Sequence, residues 1–142
     1  MVAHPAAFNL VAREYAQSAI ASGDTAAAIE RLRELHARAP TMDLLAALAL
    51  LDPAPAQQRT RLLAQLRSHP TLSVAKALIT QQESVACDSA ETQALGEAIG
   101  RAAKPLQRYR CAACGFEAQY YFWQCPGCLN WDSYPPQRLE DL

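Results

Sequence analysis

No stretch of this 142-residue chain holds 18 consecutive apolar residues, and no charged, apolar, small-residue leader opens it. Neither a membrane-spanning helix nor a secretion signal is therefore expected, and the chain reads as soluble. Charge of one sign is also lacking: 13 Lys and Arg stand against 14 Asp and Glu, a net charge of -1, so no global field draws the protein to a polyanion and nucleic acid is not an expected partner. No Ser/His/Asp set, glycine-rich phosphate loop or paired carboxylates at a recognisable spacing occurs, and His4, His36 and His69 are unclustered. A non-enzymatic role is expected.

Aromatic residues are nearly missing from the first hundred positions. Only Phe8 and Tyr15 precede Tyr109, whereas Tyr109, Phe116, Tyr120, Tyr121, Phe122, Trp123, Trp131 and Tyr134 crowd the last third. Two cores are implied, with a boundary near Lys104-Pro105: residues 1–104 helical, residues 105–142 a small metal module.

The first part reads as six helices. Leu10, Val11, Tyr15 and Ile20, then Ile29, Leu32 and Leu35, follow the three-and-four spacing of buried helical stripes. Gly23-Asp24 separates them, with Asp24 placed to cap the second helix. Pro40 stops that helix and Thr41 can cap a third, carrying Leu44, Leu45, Leu48 and Leu51. Asp52-Pro53-Ala54-Pro55 turns into a fourth with Leu62, Leu63 and Leu66, ended by Pro70. Leu72, Val74, Leu78 and Ile79 mark the fifth. After a polar loop around Ser84–Ser89, Asp88 and Glu91 form a capping-box-like start for a sixth carrying Leu95 and Ile99. Pro40, Pro70 and Pro105 recur at intervals in the range of helical solenoids. The first helix pair resembles a tetratricopeptide repeat at Ala16, Gly23-Asp24, Ala28, Leu32, Leu35 and Pro40.

Cys111, Cys114, Cys125 and Cys128 are spaced C-x2-C-x10-C-x2-C. Each pair lets a tight turn aim two thiolates at one ion, and two such turns complete a tetrahedron. Paired thiols in a reducing cytosol point to a metal rather than to disulfides, which makes the cytoplasm the expected compartment. Four thiolates suit zinc and mononuclear iron alike. Gly115 supplies a positive φ after the first pair and Pro126 stiffens the second turn, while Leu129 stands where glycine would be more comfortable. If the insert is an extended hairpin, Phe116, Tyr120 and Phe122 share one face and Tyr121 and Trp123 the other, and one face is expected to pack on the helices. Arg101, Lys104, Arg108 and Arg110 cluster before the site, where they could offset the -2 charge of a tetrathiolate centre or meet an acidic partner. Cys87 reads as an isolated thiol and Glu140-Asp141 as a solvated tail.

The segment YRCAACGFEAQYYFWQCPGCLNWDSYPP resembles the rubredoxin-like C-terminal domain of the lipopolysaccharide assembly protein B family, bacterial tetratricopeptide-repeat proteins. The likeness rests on Tyr109-Arg110-Cys111, Cys114-Gly115-Phe116, Trp123-x-Cys125-Pro126-x-Cys128, Trp131, Ser133, Leu139 and Leu142. It implies a mainly α fold of tetratricopeptide-like antiparallel repeats followed by a rubredoxin-like, zinc-ribbon type β module. It also implies an adaptor at the cytoplasmic face of the inner membrane, which helps the membrane protease FtsH degrade the deacetylase that commits lipopolysaccharide synthesis. The family's N-terminal membrane helix and most of its repeats are not in this chain, which is expected to correspond to the C-terminal portion and to reach the membrane only through that anchor. The metal module is expected to cap the open end of the helical array, which would otherwise expose apolar surface. An electron-transfer module or a zinc-ribbon nucleic-acid binder are the rival functions.

Overall fold

The computed structural model describes residues 5–82 and 90–142. Six helices occupy most of the described chain: α1 (Ala12–Ser22), α2 (Thr25–Arg38), α3 (Met42–Leu51), α4 (Pro55–Ser68), α5 (Leu72–Gln82) and α6 (Ala90–Ala103). A 3₁₀ segment, Pro5–Val11, leads into α1, and another, Lys104–Gln107, carries the chain past Pro105 into β1 (Tyr109–Arg110) and β2 (Glu117–Ala118), which pair antiparallel. None of the described helices is long and apolar enough to cross a membrane.

Each helix packs on the next, and α1 also packs on α3. The buried core of the array is Ala12, Ala16, Leu32, Leu35, Leu44, Leu45, Ala47, Leu48, Leu62, Val74 and Leu78. The stripe on α1 differs from the expected one. Val11 and Ile20 are half exposed, and Ala12, Ala16 and Ala19 form the inward face. Alanines there let α2 and α3 approach closely, so small side chains outrank large ones at that crossing.

The turns follow local chemistry. Gly23 ends α1 in the left-handed conformation at φ 81. Asp24 precedes α2 but its side chain accepts no capping hydrogen bond, because its backbone lies at φ -88, ψ 37 rather than in the extended region a capping side chain needs. Thr41 does cap α3, its Oγ1 accepting from Leu44 N, and Thr71 repeats the contact with Val74 N at the start of α5. The two Pro-Thr steps thus open equivalent helices 30 residues apart in sequence. The polar loop, the Asp88/Glu91 start, Cys87 and His4 concern residues outside the described ones, apart from Glu91 itself in the first turn of α6.

Candidate metal centre

The two cysteine turns are near copies of each other. Cys111 O accepts from Gly115 N at 2.9 Å and Cys125 O from Leu129 N at 2.8 Å; Cys111 N donates to Phe116 O and Cys125 N to Asn130 O, both at 2.9 Å. Gly115 has φ 78 and Leu129 has φ 61, so the second turn uses the same left-handed residue with a leucine in it. Gly127 leaves room for the neighbouring turn: a Cβ there would lie 3.2 Å from the Phe116 ring.

These turns bring the four sulfurs together. Cys111 and Cys128 Sγ are 3.8 Å apart, Cys114 and Cys125 Sγ 3.7 Å, and all four lie within 4.8 Å of one another. A tetrahedron with metal-sulfur bonds of about 2.3 Å has edges of roughly 3.8 Å, so the donor set fits a tetrahedral ion, whereas a disulfide needs about 2.05 Å. Cys111 and Cys125 are buried, Cys128 is partly covered and Cys114 is exposed. The hydrogen bond between Cys111 and Ser133 draws the Cys111 thiol down to about 6. A backbone hydrogen bond from Phe116 lowers Cys114, but desolvation and the three neighbouring sulfurs outweigh it and push that thiol up to about 12. Four thiolates cannot share this space without a cation.

The aromatic insert is not an extended hairpin. Among the described residues the one ladder pairs Tyr109 with Ala118 and Arg110 with Glu117, enclosing the first cysteine turn; a bridge between Gln124 and Trp131 encloses the second. Two short hairpins, each wrapped round a pair of ligand candidates, replace the single long one, so the expected two-face division fails. Tyr121 turns inward and meets Tyr109 and Tyr134 edge-on, with ring centroids 5.7 and 6.2 Å away. Phe116, Tyr120, Phe122 and Trp123 are exposed, Trp123 by 61%, so neither proposed face lies on the helices.

The helices are met by other residues. Leu10 packs on the module core of Tyr109, Cys111, Ala118, Cys125 and Tyr134. Arg138 donates through Nε and Nη2 to the two oxygens of Asp43 at 3.1 and 3.2 Å and through Nη1 to Gln107 O at 2.8 Å, with its guanidinium 5.2 Å from the Tyr109 ring centroid. Gln107 Nε2 donates to both Ser73 Oγ and Glu140 Oε1, and Glu140 Oε2 accepts from Ser73 N. Leu10 lies just before α1, Asp43 in the first turn of α3 and Ser73 in the first turn of α5. The module and its tail therefore run across the N-terminal ends of alternate helices rather than capping an open end, because the carboxylate of Glu140 is favoured at a helix N-terminus and Arg138 finds its counter-charge there. Glu140 and Asp141 consequently are not a solvated tail.

The cationic cluster divides. Arg108 Nη1 and Arg110 Nη2 lie 3.8 and 2.6 Å from the oxygens of Glu117, so that carboxylate, not the sulfur site, answers their charge. Arg101 and Lys104 line an open groove between α5 and α6 with Lys76. His36 Nε2 donates at 2.7 Å to Oε1 of Gln65, which is buried. His69 follows the last turn of α4. Sequence reasoning missed Arg138, Asp43 and Gln107, which no local pattern marks.

A six-helix array leading into a two-stranded module with a four-sulfur cluster defines a helical protein bearing a rubredoxin-like zinc ribbon. Residues 109–136 match the family described as "Rubredoxin metal binding domain". The chain is similar to lipopolysaccharide assembly protein B of Escherichia coli strain K12, 32% identical over 77 residues, or 52% of this chain and 20% of that protein. It is similar also to lipopolysaccharide assembly protein B of Haemophilus influenzae, 36% identical over 42 residues, 30% of this chain and 11% of the relative. The matched part thus spans about a fifth or less of the length of these relatives, which are named as assembly proteins rather than as enzymes.

Proposed function

We propose that the protein is a non-enzymatic adaptor in the regulation of lipopolysaccharide biosynthesis. In this reading residues 1–104 form tetratricopeptide-like repeats and residues 105–142 a metal module, in which Cys111, Cys114, Cys125 and Cys128 hold one tetrahedral zinc or iron ion. With four thiolates bound, such an ion has no open position for water or substrate, so it supplies cross-links and not hydrolysis. The observation that carries the proposal is the run of contacts from Leu10, Asp43 and Ser73 to the metal module. A cross-linked module holds the starts of alternate helices in fixed register, and a rigid helical surface is what an adaptor presents to a partner. By likeness to the relatives, the partners are lipopolysaccharide-synthesis proteins, and the finer role is presentation of the committed-step deacetylase to FtsH at the cytoplasmic face of the inner membrane.

The test is capture of the purified deacetylase and of the cytosolic part of FtsH by the full chain, with metal bound and after chelation. Retention of both partners by the metal-loaded protein and their loss with the metal is the expected result. Capture that is equally strong in the stripped protein, or absent from the loaded one, would refute the adaptor reading.

A further inference from the structure

If one divalent ion sits among four thiolates, the centre carries a formal charge of -2, and something must spread that charge. The nearby arginines do not serve: Arg108 and Arg110 are engaged by Glu117. Backbone N-H groups of the cysteine turns supply part of the answer. Gly127 N donates to Cys125 Sγ at 3.4 Å. The polar side chains beside the sulfurs come from one short segment that follows the last cysteine. Asn130 Nδ2 lies 3.5 Å from Cys128 Sγ, Ser133 Oγ 3.2 Å from Cys111 Sγ, and Tyr134 Oη 3.9 Å from Cys125 Sγ.

The same segment is pinned from several sides. Asn130 O accepts from Cys125 N at 2.9 Å, Asp132 N donates to Trp123 O at 2.9 Å, Ser133 O accepts from Ala112 N at 2.7 Å, and Tyr134 O accepts from Tyr121 Oη at 3.3 Å. It also contains or adjoins the two positive-φ residues other than glycine among the described ones, Leu129 at φ 61 and Asp132 at φ 50. Backbone strain of this kind persists only where surrounding contacts over-determine it, and here it bends the chain back over the sulfurs. Cys114, the exposed ligand candidate, is the sulfur beside which no side chain of this segment is placed within hydrogen-bond distance.

We propose that residues 130–134 are a tuning strap: Asn130, Ser133 and Tyr134 act through the thiolates as positioning residues that set how tightly the ion is held and how much charge the sulfurs donate to it. This rests on the metal reading above. Ser133 is the leading member: its Oγ lies 3.2 Å from Cys111 Sγ and accepts from that thiol while its own O-H donates to Asn130 O at 3.3 Å, and since a metal-bound thiolate has no proton to give, the same O-H can turn to the sulfur and stabilise the ionised ligand. Outer partners of metal ligands are worth about 10–100-fold in affinity.

The experiment uses the full chain loaded with zinc, and separately with cobalt as a coloured reporter, in wild type, Ser133→Ala, Ser133→Thr and Asn130→Ala. Competition with a chromophoric chelator is expected to show zinc held about 10-fold less tightly in Ser133→Ala, with recovery in Ser133→Thr, which keeps the hydroxyl. The sulfur-to-cobalt charge-transfer band is expected to shift in Ser133→Ala and Asn130→Ala and to return in Ser133→Thr, a change that simple loosening of the fold does not produce. Should Ser133→Ala fail to fold, Asn130→Ala, at an exposed position, decides by the same two readouts. Wild type binding no stoichiometric metal would overturn the metal reading itself. Wild type binding one ion while the variants keep its affinity within two-fold and an unmoved band would overturn the strap alone.

Discussion

Replacing Arg138 with Met should loosen the grip of the tail on the helices while leaving the sulfur site loaded. Arg138 and Asp43 are 24% and 30% exposed in their side chains, so the pair is largely but not fully withdrawn from water. A hydrogen-bonded charge pair in such a place is worth about 1.5–3 kcal/mol, and the guanidinium over Tyr109 adds about 0.5–1 kcal/mol. Methionine restores part of the packing but abandons Asp43 and Gln107 O, so the net loss should be about 2–3 kcal/mol. For a chain of this length that is roughly 6–10 °C in Tm. Circular dichroism at 222 nm follows the helices and metal analysis follows the module. A cycle with Asp43→Asn separates the pair from the rest, and a coupling of at least about 1 kcal/mol is expected between two residues in direct contact. A Tm within 1 °C of wild type, or additive single and double variants, would refute the argument that this contact joins module to helices.

Asp141 offers a test by pH. Burial, then the charges of Glu140 and Asp43, push its carboxyl up to about 7 against the relief given by Arg138, and its Oδ1 is buried without a hydrogen-bond partner. Because the folded value stands above that of the unfolded chain, ionisation is what folding penalises: the cost is absent below about pH 4, grows as pH rises towards 7 and is constant beyond. Asp141→Asn should therefore raise Tm at pH 8 and flatten its dependence between pH 4 and 7; a parallel curve would remove Asp141 as the cause. Leu129→Gly should stabilise the module, since it relieves about 1–2 kcal/mol of left-handed strain and returns about 0.5–1 kcal/mol through the freer unfolded chain. Slower zinc loss to a chelator would show the gain, and faster loss would mean that the leucine side chain matters more than its backbone.

Much of this molecule is legible in local pattern. Helix boundaries at Pro40, Pro70 and Pro105, the left-handed turns at Gly23 and Gly115 and the Thr41 cap all follow from backbone rules that act over a few residues. The gathering of Cys111, Cys114, Cys125 and Cys128 belongs to the same class, because a Cys-x-x-Cys turn prescribes its own geometry and the spacing between two turns is a sequence property. Even the discomfort of Leu129 could be read in advance, since its place repeats that of Gly115.

What tertiary structure alone decided is which side chains meet across long separations. The aromatic alternation of the insert suggested two faces, yet hydrogen bonding around each cysteine turn consumed the backbone that a longer hairpin would have used, leaving Trp123 outside and Tyr121 within. Arg108 and Arg110 looked like counter-charges for sulfur until β pairing set Glu117 beside them. Arg138 and Asp43 lie 95 residues apart, and charge patterning along the chain carries no record of that distance. Local rules fixed the turns that gather the four sulfurs; only the folding of the tail across three helix starts determined what those turns are fastened to, because a long-range contact depends on the sum of all the intervening geometry.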